Sequence, residues 1–198
     1  KHTKLAKPNF GEFSTNEWAF IGAPCNEIKS LIISLEKSLG VHSNVIYIDE
    51  SHNHSEKVES FEQIVKVGES QMLQLASQWN RNGNQARLRS YDFCFVNGNH
   101  FPARKQIVML DRKKEKSLSK KLDRLTNVRC FIYNDEIHEP YEFLKSHLET
   151  WETMPIFHIK DIAGITAFIS SDFQLPKLKA LILAGGKSQR MGYDKGKI

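Results

Sequence analysis

Glu17-Trp18-Ala19-Phe20-Ile21-Gly22-Ala23-Pro24-Cys25-Asn26-Glu27-Ile28-Lys29-Ser30 holds a strand, a turn and the start of a helix in one unbroken run. Glu17 to Ile21 is apolar enough to be a buried strand, and Gly22 to Cys25 turns the chain. A helix is predicted from Asn26 to Leu39. Asn26 is a good N-cap type, Glu27 suits the first turn, and Gly40 supplies a stop. Ile28, Leu31, Ile32, Leu35 and Leu39 recur at helical spacing. Asn44 to Asp49 is the next strand. A β-turn-α-β start predicts a mostly parallel sheet with a right-handed crossover.

Outward from this unit the pattern continues. Residues 1–16 read as an arm, with Pro8 and Gly11 punctuating it. Phe61 to Val67 reads as a short strand and Glu69 to Trp79 as a helix. Further strands are predicted at Tyr91–Val96, Gln106–Leu110, Val128–Tyr133 and Ile156–Ile159. Lys114–Leu125, Pro140–Leu148 and a last segment from a capping Asp161 to Ile169 read as helices. Alternating strands and helices imply a doubly wound α/β domain over residues 17–170. Residues 171–177 contain Pro176 and read as a linker.

The 198 residues suffice for one domain and part of a second. Apolar content of 40% and charged content of 26% are globular values. A net charge of +5 suits phosphate ligands but does not argue for nucleic acid. Arg112 to Lys116, with Lys120 and Lys121, reads as a solvated helix face, because no aromatic residues interleave with the charges. No apolar run is long enough to span a bilayer, and the basic, polar N-terminus lacks a signal-peptide core. A cytoplasmic location is expected. Cys94 and Cys130 lie in apolar runs and read as buried thiols. No C-x-x-C pair points to zinc, and an H-x-H pair in a polar loop, His52 and His54, reads as solvated. No metal site is assigned. Trp18, Trp79 and Trp151 read as core or interface anchors.

The chemistry is expected at the carboxyl ends of the strands. A phosphate-binding loop of the form G-x-x-x-x-G-K-[ST] would place Lys29 and Ser30 correctly. Ala23 and Ile28, however, stand where the glycines belong, and Glu27 adds negative charge. Lys29 and Ser30 therefore read either as a residual anion site or as the exposed face of an ordinary helix. Asn97 and Gly98, in Val96-Asn97-Gly98-Asn99-His100, are a second candidate at a strand end, with a plain tight turn as the alternative. Asp49-Glu50-Ser51-His52-Asn53-His54 follows the second strand. Together these stretches resemble the adaptor protein of molybdopterin guanine dinucleotide synthesis, a P-loop GTP-binding family. That resemblance implies a P-loop/Rossmann-like fold. Asn97 stands where the family has a glutamate, and a neutral amide is a poorer partner for a magnesium–water shell.

The far end carries a second resemblance. Leu178 to Ala184 is an apolar run of strand character. It leads into Gly185-Gly186-Lys187-Ser188-Gln189-Arg190-Met191-Gly192-Tyr193-Asp194-Lys195. Gly185 and Gly186 lack the Cβ atoms that would keep a phosphate from the backbone, and Lys187, Arg190 and Lys195 add cations. The stretch resembles the signature loop of molybdopterin guanylyltransferases. That resemblance implies GTP contacts by Leu183, Ala184, Gly185, Gly186, Ser188, Arg190 and Lys195. It implies a catalytic role for Arg190 and Lys195, which would stabilise triphosphate charge as an acceptor phosphate attacks the α-phosphorus. Mg²⁺ and GTP are the implied cofactor and substrate, and the molybdenum cofactor is the acceptor.

A nucleotidyltransferase domain needs roughly 150 residues, so residues 178–198 read as its truncated start. On that reading the chain is inactive as a fragment. The alternative is a non-catalytic module that docks a molybdenum-cofactor protein or forms a homodimer.

Overall fold

The computed structural model describes residues 13–40, 43–50, 63–67, 70–74, 88 and 90–173. The first strand, β1 (Glu17–Ile21), leads through a turn into helix α1 (Cys25–Leu39) and then β2 (Val45–Ile48). Next come β3 (Gln63–Val67), β4 (Ser70–Gln74), β5 (Phe93–Asn97) and β6 (Lys105–Leu110). Helix α2 (Glu115–Leu118), strand β7 (Val128–Tyr133), helix α3 (Glu142–His147), strand β8 (Ile156–His158) and helix α4 (Ile162–Ser171) complete the order. The main sheet runs β2-β5-β1-β6-β7-β8, and every pairing in it is parallel. The α/β reading of the sequence thus holds.

Alternation along β1 sends its side chains to two cores. Trp18 and Phe20 face the layer of α1 and α4, with Ile28, Leu35, Ile165 and Ile169. Ile21 faces the opposite layer with Leu118, Phe131 and Leu144. Cys94 and Cys130 are buried, as their runs imply. Trp18 is buried and Trp151 is partly buried; Trp79 lies outside the described residues. Gly40 ends α1 at φ 79°, the left-handed region glycine tolerates.

Three expectations fail. Ser70–Gln74 is not helical but pairs antiparallel with Gln63–Val67. Cross-strand pairing overrides a sequence that reads as helix on its own. Lys114–Leu125 is not one helix: α2 is flanked by 3₁₀ turns at Arg112–Lys114 and Ser119–Arg124, the latter kinked at Lys121. Asn26 does not cap α1; Pro24 occupies that position, and its carbonyl accepts from Glu27 N and Ile28 N, both at 3.0 Å. Asp161 does cap α4, accepting from Gly164 N at 2.9 Å.

Residues 98–104 carry the chain from β5 past β1 to β6 without the usual crossover helix. Small side chains make this passage possible. A Cβ on Gly98 would lie 2.8 Å from Ile21 Cβ and 3.2 Å from Ala19 Cβ. Ala103 packs with Ala19 in the same cluster.

Helix α4 continues to Ser171, and the body extends beyond it. Phe173 lies 5.2 Å from Phe93, and Asp172 pairs with Lys105 (3.2 Å) and Arg129 (3.4 Å). Lys105 is only 3% exposed, and its burial lowers its pKa despite Asp172. Asp172→Ala leaves that ammonium without its carboxylate. Urea unfolding should show a loss of about 3 kcal/mol, the lower end for removal of one partner of a buried pair. A loss below about 0.5 kcal/mol would mean that Lys105 does not depend on the pair.

Candidate functional site at the strand ends

The order β2-β5-β1 brings three strand ends together, and with them Asp49 and Glu50, Asn97 to His100, and Gly22 to Cys25. Gly22 has φ 101° and is fully enclosed; a Cβ there would lie 2.4 Å from Met109 O. This glycine lets α1 begin at Cys25, directly after Pro24. Ala23 and Ile28, at the two glycine positions of a phosphate loop, are 1% and 0% exposed and pack into the core. Residues that would ring a phosphate therefore serve as core and helix. Lys29 and Ser30 are exposed on α1, and Ser30 Oγ donates to Asn26 O at 2.9 Å. Among the described residues, no hydrogen bond or ion pair joins Lys29 or Ser30 to Asn97 or Gly98.

Asn97 is buried, and both ends of its amide are engaged. Its Nδ2 donates to Asp49 Oδ1 at 2.8 Å, and its Oδ1 accepts from Asn99 N at 3.1 Å. Gly98 N donates to Phe20 O at 2.8 Å, locking the turn onto β1. Asp49 also accepts from Tyr47 OH at 2.7 Å. Burial, then the Asp49 carboxylate, raise the Tyr47 pKa and keep that phenol protonated. Asn99 Nδ2 donates to Ala23 O at 2.8 Å and so couples the two turns.

Cations close the other side. Lys121 Nζ donates to Asn99 O at 2.9 Å, and Arg124 donates to Gly98 O and Asn99 O at 3.3 and 3.1 Å. Burial, then the neighbouring Arg124 and Lys114, lower the Lys121 pKa. Lys121 thus belongs to the turn rather than to a solvated basic face. Sequence reasoning missed Cys25, Glu50, Tyr47 and Arg124 as members of this cluster, while Asn99 and His100 belong to the Asn97–His100 turn that the sequence offered as a candidate. His100 Nδ1 lies 2.8 Å from Glu50 Oε2, and its Nε2 lies 3.3 Å from Cys25 Sγ.

A magnesium–triphosphate unit does not fit the front turn. The amide of Asn97 already donates to Asp49, and Ala23 and Ile28 fill the cradle. Among the described residues, no group of His, Cys, Asp or Glu is placed to hold a metal ion, and no helix is long and apolar enough to cross a membrane. Leu183, Ala184, Gly185, Gly186, Ser188, Arg190 and Lys195 lie outside the described residues, as do His52 and His54.

Neither a family model nor a curated protein matches the sequence. Solved structures do match. Two structures of Bacillus subtilis MobB each align with a TM-score of 0.51 at 17% identity, covering 80% of this chain and 98% of theirs. The chain has the MobB fold. At that identity the likeness extends to architecture, and the MobB comparison assigns no chemistry to the strand-end residues. Their own geometry has to do that.

Proposed function

We propose that the α/β body is a non-hydrolysing adaptor module of molybdenum-cofactor biosynthesis, carried in one chain with a guanylyltransferase-type loop at residues 183–195. The MobB fold supports the adaptor half. The observation that carries the non-hydrolysing part is the filled turn: Ile28 is fully buried where a phosphate loop needs its second glycine. With the cradle closed, the body's role is docking. Its partner would be a molybdenum-cofactor protein or a second copy of this chain. GTP would belong to Gly185, Gly186, Ser188, Arg190 and Lys195, with Mg²⁺ carried on its phosphates. Transfer of GMP to the cofactor would then be the chemistry of that second segment, with Arg190 and Lys195 holding the triphosphate charge.

Calorimetric titration of the full chain with GTP and Mg²⁺ separates the two phosphate sites. Lys29→Ala is expected to leave any binding unchanged. Lys195→Ala is expected to weaken it by about tenfold or more, equivalent to about 1.4 kcal/mol. Binding lost in Lys29→Ala would overturn the docking role, since the front turn would then still hold phosphate. Binding retained in Lys195→Ala would remove the assignment at 183–195.

A further inference from the structure

Helix α1 starts on a cysteine, and that thiol is not isolated. Cys25 Sγ lies 3.3 Å from His100 Nε2, and His100 Nδ1 lies 2.8 Å from Glu50 Oε2. Three separate segments supply the three groups: the start of α1, the turn after β5 and the end of β2. In the tautomer that gives its Nδ1 proton to Glu50, the Nε2 lone pair faces the thiol, with Asp49 Oδ1 4.0 Å from the same nitrogen. Nucleophile, base and orienting group therefore stand in series, as an activated nucleophile requires. Asn99 holds the arrangement from the side, with Nδ2 3.9 Å from Cys25 Sγ and 2.8 Å from Ala23 O.

The surroundings favour one class of electrophile. Pro24 caps α1 without a side-chain hydrogen bond, and Glu27 N and Ile28 N are bound to Pro24 O. Among the described residues, the N–H groups of Cys25 and Asn26 have no acceptor. Donors of this kind, beside a nucleophile and at the positive end of a long helix, suit the oxyanion of an acyl-transfer intermediate. Cys25 is half-buried, whereas Cys94 and Cys130 are buried. Burial raises both of those thiol pKa values, that of Cys130 to about 12, so neither competes as a nucleophile.

We infer that Cys25, His100 and Glu50 form an acyl-accepting site for activated esters or thioesters. His100 Nε2 takes the thiol proton as Cys25 Sγ attacks the carbonyl carbon. The N–H groups of Cys25 and Asn26 bind the oxyanion. Collapse expels the alcohol or thiol, which takes the proton back from His100. The product is an acyl-Cys25 thioester, with no change of oxidation state. Cys25 and His100 touch the reacting atoms, and Glu50 is a positioning residue.

The test uses p-nitrophenyl acetate on the full chain, with acetylated peptides mapped by mass spectrometry. Acetylation is expected at Cys25 and absent in Cys25→Ser. His100→Ala should slow it by about 10²-fold, the usual contribution of a general base. Added imidazole should restore part of the rate, which a purely structural histidine would not allow. Glu50→Gln should slow the reaction about tenfold and Glu50→Asp should retain more of it, since orientation rather than proton transfer is lost. A Cys25 rate unchanged in both His100→Ala and His100→Gln overturns the assignment. So does slowing in both with no recovery in imidazole, or acetyl groups found only on lysines.

Discussion

Gly22→Ala is expected to remove about 3–5 kcal/mol of stability, the sum of a strained backbone and an overpacked core position. Both effects come from one atom. At φ 101° an L side chain is strained whatever the space around it, and the new Cβ would lie 2.4 Å from Met109 O and 3.1 Å from Leu118 Cδ2. Met109 cannot move aside cheaply. It sits in β6, paired in register with Ile132 of β7, and its side chain is buried in the main core. Gly40→Ala separates the two effects: φ there is 79°, but nothing lies within 4 Å of the added Cβ. That variant should lose only about 1 kcal/mol, the strain alone. Urea unfolding of the two variants gives the comparison, with an unchanged m-value confirming that midpoints report stability. Equal midpoints would show that the clash at Met109 is relieved by a shift of the turn.

The strand–turn–helix at residues 17–39 was legible because burial there is local. Apolar runs and helical spacing report it directly, and the structure returns β1 and α1 with one residue changed at the helix start. That change has a cause the spacing does not carry. Gly22 reverses the chain early enough for Pro24, not Asn26, to cap the helix. Ser70–Gln74 shows the opposite limit. Its neighbourhood reads as helix in isolation, and only the partner strand at Gln63–Val67 makes it extended. The candidate site was legible residue by residue but not as a set. Asp49, Asn97 and His100 stand out as polar groups at strand ends, yet Cys25 and His100 are 75 positions apart. Their meeting depends on β5 lying between β2 and β1, which no local pattern encodes.

Glu17→Leu should destabilise the protein most of all, by about 4 kcal/mol or more, because buried donors lose their acceptor. Glu17 is completely buried at the start of β1. Its Oε2 accepts from Phe13 N at 2.6 Å and Ser14 N at 3.1 Å, and its Oε1 accepts from Arg104 N at 2.5 Å. Each backbone N–H left unpaired in the interior costs about 1–3 kcal/mol. Leucine is close in size, so packing alone would predict little change, and the loss therefore reads the hydrogen bonds. Glu17→Gln is the graded control. Its single carbonyl oxygen still serves one or two donors, but its amide turns an N–H toward another, so about half the loss is expected. Amide hydrogen exchange at Phe13, Ser14 and Arg104 should rise in both variants ahead of global unfolding. A leucine variant within 1 kcal/mol of the parent would mean that solvent reaches these donors. The consequence extends to the candidate site. Arg104 ends the helix-free passage over β1 that Gly98, Asn99 and His100 begin. With its far end released, that passage should lose register at His100 too, so Glu17→Gln should slow acetylation of Cys25 although Glu17 touches none of the reacting groups.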